Sequence, residues 1–435
     1  MTGKIALFAV TAIFSALTLN AAELYVSKDT GKNSNAGTKD APFKNLQKAL
    51  DVAAAGDKIH VAAGNYFGLM DKGYLEMKKP VEIYGGYTAD FSSRSPLKNR
   101  TLVMPPASSN GTANSKGLLN IELSGEKNAN LVIDGIIFDK GDSNAYHATN
   151  GKPNGVDTGM LQHPPAAGAN GVIGSKNPIL RGSVGGGKML IQNCVFNNGA
   201  FYGIQMGFGK GDVKLLNNVF TSNAVAAVEI SGLHNAPNGI QLEFAYNTVL
   251  YSWARTKDNT DMGYGFRNMT MVDTNIHHNL IGLSSFSGID RTRIDSNKTN
   301  EAARKIKIDN NVFFLNKQSD LVLPSGGGML LRVFVDKMED AEGVTSVTGN
   351  TELKDHAALK AVLNAPYLEG FLSATYKEKT DYDPNSPANN FRRALGMNQV
   401  GTIQTSVSMY GNRYPLEDAL KLFGALKSVG AQAVK

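Results

Sequence analysis

The chain has 435 residues, of which 42% are hydrophobic and 19% are charged, with 46 glycines and a single cysteine. These values are those of a globular protein, and they exclude a disordered, collagen-like or disulfide-stapled chain. The 44 Lys and Arg residues exceed the 38 Asp and Glu residues and give a net charge of +6. This excess suits an anionic ligand but falls short of the dense basic surface that binds nucleic acid, so we expect no nucleic-acid partner.

Residues 1–21 have the pattern of a secretory signal peptide. Lys4 precedes the apolar run 5–19, and the small residues Ala21 and Ala22 follow it. The run is about 15 residues long and a bilayer span needs about 20, so an uncleaved membrane anchor is the less favoured alternative. We expect cleavage after Ala21, a secreted, periplasmic or cell-surface protein, and no membrane span in the mature chain.

The single cysteine, Cys194, limits the covalent chemistry of the chain. The expected cleavage site carries no lipid-accepting cysteine, so we do not expect a lipoprotein, and the mature chain can form no internal disulfide. We interpret Cys194 as a small buried hydrophobic residue. A reactive thiol is the alternative.

Residues 45–56 predict a short amphipathic helix. Asn45 is a typical N-cap residue, and Gly56 follows the helix. One face carries Leu46, Ala49, Leu50 and Ala53. We expect this helix to plug the first end of the strand array described next, because that end would otherwise expose an apolar interior and an unpaired strand edge.

A short sequence motif, in which Asn precedes apolar residues, recurs along the middle of the chain. Its clearest copies lie at 191–196, 216–220, 246–250, 278–281 and 308–313, with weaker copies at 132–138 and 349–351. Within them Asn193, Asn217, Asn247, Asn279 and Asn310 stand 24, 30, 32 and 31 residues apart. This period predicts a solenoid, and the β-branched and alternating residues indicate that its units are coils of strands.

The repeated Asn indicates a corner of each coil. A parallel β-helix turns sharply between short strands, and Asn tolerates the positive φ that such a turn often needs. Stacked corners also let the Asn amides bond to one another along the axis. Unrelated turn residues are the alternative, but they would not explain the apolar pair at the same offset after each Asn.

The strand pattern ends after Asn350, so we assign 22–352 to the solenoid and 353–435 to a C-terminal extension of helices and loops. Residues 355–372 are prone to form a helix, and Pro415 opens a last helix with apolar residues at helical spacing. We expect this helix to pack over the end or against the side of the solenoid. A membrane-surface helix is the alternative.

Residues 24–66 resemble the N-terminal segment of the pectate-lyase-like, right-handed parallel β-helix proteins. The matching stretches are 24–27, 42–46, 56–61 and 64–66, with Gly31, Asn33 and Gly37 among them. The resemblance implies an all-β, right-handed parallel β-helix with an N-terminal helical cap. It is specific to the fold and not to one activity, because polysaccharide lyases, epimerases and surface proteins share it.

Two functions follow from the resemblance. The first is a secreted carbohydrate-active protein, a polysaccharide lyase that acts on acidic, uronate-containing polysaccharide by β-elimination. The second is a non-catalytic surface or matrix protein that binds glycan or serves as a scaffold. A glycosidase with paired carboxylates is a third class, and the fold alone does not choose among them.

We expect function where insertions interrupt the repeat, since coils are scaffold and loops carry variable chemistry. The insertions are 142–188, 253–267 and 284–304. Neighbouring coils stack laterally, so the second and third should project near each other and form a groove.

β-Elimination needs a group that neutralises the uronate carboxylate, a base for the C5 proton and an acid for the leaving oxygen. Arg267, Arg291 and Arg293 are candidates to bind the carboxylate, and Lys257 is the candidate base, because neighbouring Arg charges would lower its pKa. The alternative is that these cations form surface ion pairs with Asp258, Asp261, Asp290 and Asp295.

Three further residues of the second insertion are candidates. Trp253 and Arg255 would bind substrate, with the Trp253 ring stacked on a sugar, and Tyr264 would protonate the leaving oxygen. A packing role for Trp253 is an equal alternative.

Lyases with this fold often use Ca²⁺, which makes Asp139, Asp142 and Asp157 candidate ligands, although their spacing matches no known loop motif and solvated turn residues are the alternative. We therefore expect either no cofactor or Ca²⁺. The adjacent His277 and His278 would face opposite sides of a strand and could not bind one ion without a bulge.

Residues 182–188 have the spacing of a phosphate-binding loop. Met189 stands where Ser or Thr would hold Mg²⁺, and a strand pattern follows where a helix is needed, so we expect no nucleotide partner. The glycines instead predict a mobile loop over the groove.

Overall fold

The computed structural model describes residues 21–434, apart from 69, 71–72, 106–115, 142–176, 200, 234–238, 255–261, 325–328, 342, 377–382, 402–408 and 410–412. The described strands form one sheet of 17 strands and one of nine. No helix in this part of the chain has the length and apolar character to cross a membrane.

The strands, in chain order, are β1 (Glu23–Val26), β2 (Lys58–Ala62), β3 (Gly64–Tyr66), β4 (Leu75–Met77), β5 (Glu82–Tyr87), β6 (Thr101–Val103), β7 (Leu119–Leu123), β8 (Ala129–Asp134), β9 (Ile136–Asp139), β10 (Leu180–Gln192), β11 (Val195–Asn197), β12 (Ile204–Leu216), β13 (Val219–Thr221), β14 (Ala226–Gly232), β15 (Ile240–Ala245), β16 (Thr248–Leu250), β17 (Tyr264–Asn268), β18 (Val272–His277), β19 (Leu280–Gly282), β20 (Ser287–Asp290), β21 (Ile306–Asp309), β22 (Val312–Phe314), β23 (Ser319–Pro324), β24 (Leu330–Val333), β25 (Ser346–Thr348) and β26 (Thr351–Glu352). The α-helices are α1 (Leu46–Val52), α2 (Lys298–Ala303), α3 (Ala365–Thr375), α4 (Pro387–Ala394) and α5 (Leu416–Leu420).

Strands of successive coils pair in parallel and in register. In the nine-stranded sheet, Val195 pairs with Ile137 of the coil before and with Val219 of the coil after. The 17-stranded sheet contains two stacks of parallel strands, which we call arrays, and the long strand β10 belongs to both. Its residues 187–192 pair with β8 in the first array, which also holds β15. Its residues 180–184 pair with β7 in the second array, which also holds β14. These three faces make an all-β parallel β-helix, which confirms the predicted fold class.

A ladder of asparagines runs inside one row of corners. Each side-chain oxygen accepts the backbone N–H and the side-chain Nδ2 of the Asn one coil earlier, and the members are Asn218, Asn247, Asn279, Asn311 and Asn350. Cys194 stands at the same position of the preceding coil, and its backbone N–H bonds to Asn218 Oδ1 at 3.0 Å. The cysteine is buried, as predicted.

The turning residue is the one before each ladder position. Asn193, Asn217, Tyr246, His278 and Asn310 have φ between 54° and 56°. The alignment of the repeats from sequence mixed these two positions, because Asn247 and Asn279 belong to the ladder whereas Asn193, Asn217 and Asn310 make the turn. We predicted that one Asn both makes the backbone turn and bonds along the axis. In the structure two adjacent residues share these roles.

The interior and its cap follow from the apolar residues of the coils. Stacked rings run along the axis, with centroids 5.2 Å apart for Phe138 and Phe196 and 4.9 Å apart for Phe196 and Phe220. The cap helix α1 begins after Asn45, whose side chain accepts the N–H of Gln47 as an N-cap. Its buried face includes Leu46, Ala49 and Leu50, which belong to the same apolar core as the coils.

The C-terminal extension packs against the side of the solenoid. Val195 and Val219 on the nine-stranded sheet share an apolar cluster with Leu368 and Phe371 of α3. The predicted helix over 355–372 is shorter in the structure, because a 3₁₀ turn (His356–Leu359) precedes α3. The last helix follows Pro415, as predicted, and spans Leu416–Leu420.

A C-terminal tail then crosses three coils with three consecutive residues. The N–H of Gly430 bonds to the carbonyl oxygen of His278 at 2.9 Å, and the N–H of Ala431 bonds to Thr248 Oγ1 at 2.9 Å. The N–H of Gln432 bonds to Asn217 Oδ1. The tail therefore spans three successive coils and links the first of them to the third.

The glycines of 182–188 lie in the extended strand β10. The prediction of a mobile loop over a groove is therefore wrong, and the segment has no phosphate-binding conformation either. A side chain on Gly182 or Gly187 would meet backbone atoms of the neighbouring coil at 2.0–2.1 Å, which explains why glycine stands there.

Candidate functional site

The second and third insertions come together at Arg267. This residue pairs with Asp290 of the next coil, and its Nε lies 3.0 Å from Asp290 Oδ2. Its Nη1 lies 3.4 Å from Glu229 Oε2 and donates to the Tyr202 hydroxyl at 3.2 Å. The guanidinium is 3% exposed and lies between two carboxylates. Arg267 is therefore paired with Asp290, one of the acids named in the ion-pair alternative, but the pair is buried and not on the surface. Freeing Arg267 to bind a substrate would leave Asp290 buried without its partner.

Arg291 is also engaged within the protein. It is paired with Glu301 and is 5% exposed, and it donates to the carbonyl oxygen of Arg293 at 3.2 Å. Burial lowers its pKa from the ordinary value, with the neighbouring Arg304 charge adding to the effect. Arg293 is half-buried beside them. These side chains stabilise the 291–304 segment and do not form an accessible site for a carboxylate.

The two aromatic candidates are covered. Trp253 is 0% exposed and Tyr264 is 1% exposed, and both belong to the apolar cluster that includes the C-terminal helices. The Tyr264 ring lies 5.2 Å from the Arg267 guanidinium. We therefore assign Trp253 to packing, the alternative stated above, and correct the prediction that Tyr264 protonates a leaving group, since no face of either ring is open to a sugar.

Asp139 does not fit a calcium ligand. Its carboxylate accepts hydrogen bonds from the side-chain amides of Asn197 and Asn198 and from the N–H of Gly141, at 2.7–3.2 Å. Burial raises its pKa, which opposes the charged form that a cation needs. Within the described ranges, no group of three His, Cys, Asp or Glu side chains converges on a point.

Four of the predicted site residues lie outside the described residues. They are the candidate base Lys257, the candidate substrate ligand Arg255, and the candidate metal ligands Asp142 and Asp157. Their roles remain predictions.

An open groove of about 650 Å³ lies elsewhere, on the outer face of the second array. We call it the second-array groove. It is lined by Lys116, Asn120, Ile121, Glu122, Ser124, Arg181, Gly182, Ser183, Gln205, Met206, Gly207, Glu229 and Ser231. Four successive coils contribute these residues through β7, β10, β12 and β14, so the floor of the groove is part of the rigid sheet.

Two rows of side chains give the groove its shape. One row carries small residues at successive coils, namely Ser183, Gly207 and Ser231. Two positions back along the same strands, the second row carries Asn120, Arg181, Gln205 and Glu229. Residues two apart on a strand share one face, so the small row forms the trough and the longer polar row forms one wall.

The wall is anchored by hydrogen bonds. Gln205 Nε2 donates to Glu229 Oε1 at 2.8 Å, and the other carboxylate oxygen of Glu229 lies beside Arg267. Arg181 is exposed and donates to Asn177 Oδ1 at 2.9 Å. At one end Lys116 lies 2.8 Å from Glu76 and 3.7 Å from Glu122, and its hydrogen bond to Glu76 raises its pKa. Lys116 is therefore a cation at neutral pH and a poor base.

The backbones of the two acids in the groove are farther apart than the carboxyl groups of a glycosidase pair. Glu122 lies on β7 and Glu229 on β14, three strand spacings apart, which places their backbones about 14 Å from each other at about 4.8 Å per spacing. Catalytic pairs are separated by about 5–9.5 Å. The lining residues suit hydrogen bonding to a polyhydroxylated ligand better than acid–base hydrolysis.

A family model described as "Protein of unknown function (DUF1565)" matches residues 29–130. Among solved structures, the chain is similar to "The complex structure of XylC with xylose", at 14% identity and a TM-score of 0.31, over 69% of this chain and 63% of that one. It is also similar to "Crystal structure of pectate lyase Pel9A", at 12% identity and a TM-score of 0.34, over 78% of this chain and 80% of that one.

The chain thus spans less than two thirds of the first of these structures. No curated protein matches it. The strand register itself confirms the parallel β-helix fold that residues 24–66 predict.

Proposed function

We propose that the protein binds a glycan chain in the second-array groove. The observation that carries this proposal is the floor of the groove, where coils related by the repeat present hydroxyl, amide and guanidinium groups in two parallel rows. A sugar chain offers hydroxyl groups at regular intervals and could bond to the same row on successive coils. Such a ligand needs many hydrogen bonds and little apolar burial, which matches these side chains.

One exposed cation of the groove supports an acidic glycan. Arg181 is the exposed cation of the wall, and its planar guanidinium can bind a carboxylate through two parallel hydrogen bonds. Lys116 lies at the end of the trough, where it is paired with Glu76 and Glu122. Arg267 lies 3.4 Å from Glu229 and offsets part of its charge, while the same guanidinium also pairs with Asp290.

Affinity electrophoresis of the mature chain through gels that contain pectate, alginate or a glycosaminoglycan tests this proposal, with dextran as the neutral comparison. We expect retardation by at least one acidic polysaccharide and about tenfold weaker binding for Arg181→Ala, since a charge-assisted hydrogen bond contributes about 1.5–3 kcal/mol. Arg332→Ala, which removes an exposed arginine outside the groove, is the matched control. Equal loss in both variants, or no retardation, would contradict the proposal.

Catalysis by β-elimination stays a prediction that depends on Lys257. In this reaction a base removes the C5 proton of a uronate, a C4–C5 double bond forms, and the oxygen on C4 leaves with a proton. The unsaturated product absorbs ultraviolet light, so incubation with each acidic polysaccharide, with and without Ca²⁺, measures turnover. We expect Lys257→Ala to abolish any activity, and unchanged turnover would remove this residue as the base.

We also propose that the protein is exported, which would place it where polysaccharide is found. The signal-peptide pattern of residues 1–21 supports this. N-terminal sequencing of protein recovered from the periplasm or medium should begin at Ala22, and retention of residues 1–21 on that protein would contradict the proposal.

A further inference from the structure

Two imidazole rings meet edge to face at the corner between β18 and β19, with their planes 89° apart. His277 is the last residue of β18, and His278 is the turning residue, with φ at 55°. Adjacent residues of a regular strand point to opposite faces. The left-handed turn at His278 overrides this rule, and the two Nδ1 atoms lie 3.0 Å apart. The prediction that these residues face opposite sides is therefore wrong.

The neighbouring coil holds the first ring in a defined state. His277 Nε2 lies 3.4 Å from Glu243 Oε1, and the same carboxylate is paired with Lys214 at 2.8 Å. A carboxylate at Nε2 favours the tautomer with its proton on that atom, which leaves the lone pair of Nδ1 facing His278. Metal-binding histidines commonly have this arrangement, with one ring nitrogen donating to a carboxylate and the other bound to the metal.

The second ring is held by packing. The His278 ring stacks on Tyr246, the turning residue of the coil before, with centroids 5.0 Å apart and planes 21° apart. The carbonyl oxygen of His278 accepts the N–H of Gly430 from the C-terminal tail, which fixes its backbone. Both imidazoles are partly exposed, so an ion can reach them from solvent.

The separation of the two nitrogens matches a particular coordination geometry. At metal–nitrogen distances of about 2.0–2.1 Å, two nitrogens 3.0 Å apart subtend about 94° at the ion. An angle near 90° is that of neighbouring ligands in a tetragonal site, which Cu(II) and Ni(II) favour, and it is smaller than the tetrahedral angle of a structural zinc site.

We propose that His277 and His278 chelate a tetragonal divalent transition metal ion, with Cu(II) bound most tightly, through their Nδ1 atoms. Binding replaces the hydrogen bond between the rings, and the proton on His278 Nδ1 moves to its Nε2 through solvent. In the described part of the chain no third His, Cys, Asp or Glu side chain completes the set, so water fills the remaining positions. This site is separate from the second-array groove and does not depend on glycan binding.

Electron paramagnetic resonance of the full chain with one equivalent of Cu(II) tests the proposal. We expect a tetragonal signal with splitting from two nitrogens, and its loss in both His277→Ala and His278→Ala. The chain has seven histidines, so His356→Ala, which changes a partly exposed imidazole far along the chain, is the matched control. A signal that persists in the two variants, or that disappears equally in His356→Ala, would overturn the proposal.

Glu243→Gln tests the positioning role of the carboxylate. Isothermal titration with Cu(II) should show about tenfold weaker binding, the usual effect of removing an outer carboxylate, while circular dichroism shows the same fold. Unchanged Cu(II) affinity in Glu243→Gln together with unchanged affinity in both histidine variants would mean that the rings form a hydrogen-bonded pair and nothing more.

Discussion

Asn279 accepts two hydrogen bonds from Asn247 of the coil before, one from its backbone N–H at 2.8 Å and one from its Nδ2 at 3.1 Å. Both side chains are 0% exposed. Each rung of the ladder thus satisfies a backbone and a side-chain donor that water cannot reach.

Asn279→Ala should lower the free energy of unfolding by about 3 kcal/mol, since it leaves the buried N–H of Asn247 without an acceptor and its Nδ2 with the carbonyl oxygen of Leu215 alone. The midpoint of urea unfolding, followed by circular dichroism, measures the effect. Asn275→Ala, on the partly exposed outer face of β18, is the control and should change stability little. Equal midpoints for the two variants would show that the ladder contributes no such stabilisation.

Cys194→Asn should extend the ladder by one rung and raise stability by about 1 kcal/mol, the usual net contribution of a hydrogen bond. Asn218 and Asn247 donate Nδ2 to the carbonyl oxygens of Ile191 and Leu215, and the Cys194 thiol already points to the equivalent oxygen of Ile133 at 3.5 Å. Thermal unfolding of Cys194→Asn beside the unchanged chain measures the gain, and Cys194→Ala shows the cost of removing the thiol alone. A midpoint for the Asn variant at or below that of the unchanged chain would contradict this account.

Lys140 should make stability rise with pH in the alkaline range. Burial lowers its pKa from the ordinary 10.5 to about 8. Between these values the unfolded chain holds a proton that the folded chain has released, so raising the pH through this window favours the folded state.

Below pH 8 the buried charge of Lys140 lowers the free energy of unfolding by about 3 kcal/mol, because its pKa falls from 10.5 to about 8 on folding. Lys140→Met should therefore be more stable at pH 7 and should lose the rise between pH 8 and pH 10. Urea midpoints across this range check it, with the exposed Lys188→Met as control. If the stability of Lys140→Met still rises over this pH range, another titrating group causes the rise.

Filling the trough should block glycan binding without unfolding the chain. Ser183 lies in the small row and points outward, so Ser183→Phe places a ring where we expect the sugar chain. Affinity electrophoresis should show at least tenfold weaker retardation, with an unchanged unfolding midpoint. Lys188→Phe, on the same strand but in the first array, is the control, and retained binding in Ser183→Phe would place the ligand elsewhere.

The fold was predictable because the information for each coil is local. The turning residue, the ladder position and the short strand after them lie within about six residues, so each coil repeats a recognisable sequence motif. The assignment of single residues within the motif was less secure, because Tyr246 and His278 adopt the left-handed turn as Asn193 does. At two corners an Asn in the ladder was therefore taken for the turning residue.

The groove was missed because its residues meet only through the register. Arg181 and Gln205 each stand twelve residues before their turning residues, Asn193 and Asn217. Glu229 stands seventeen before Tyr246, because residues between β14 and β15 lengthen that coil. The available signal was the alternation of long polar and small residues, Arg181 with Ser183 and Gln205 with Gly207. The prediction instead favoured the charged insertions and Arg267, whose side chain forms an internal ion pair.

The tail at Gly430 to Gln432 changes how the stack can come apart. A solenoid held only by contacts between adjacent coils can fray from either end, one coil at a time. Here residues 430–432 join the coils of His278, Thr248 and Asn217 to one another, so these hydrogen bonds must break before the three coils can separate. Resistance of this part of the stack to mechanical pulling should therefore depend on a segment that is far from it in sequence.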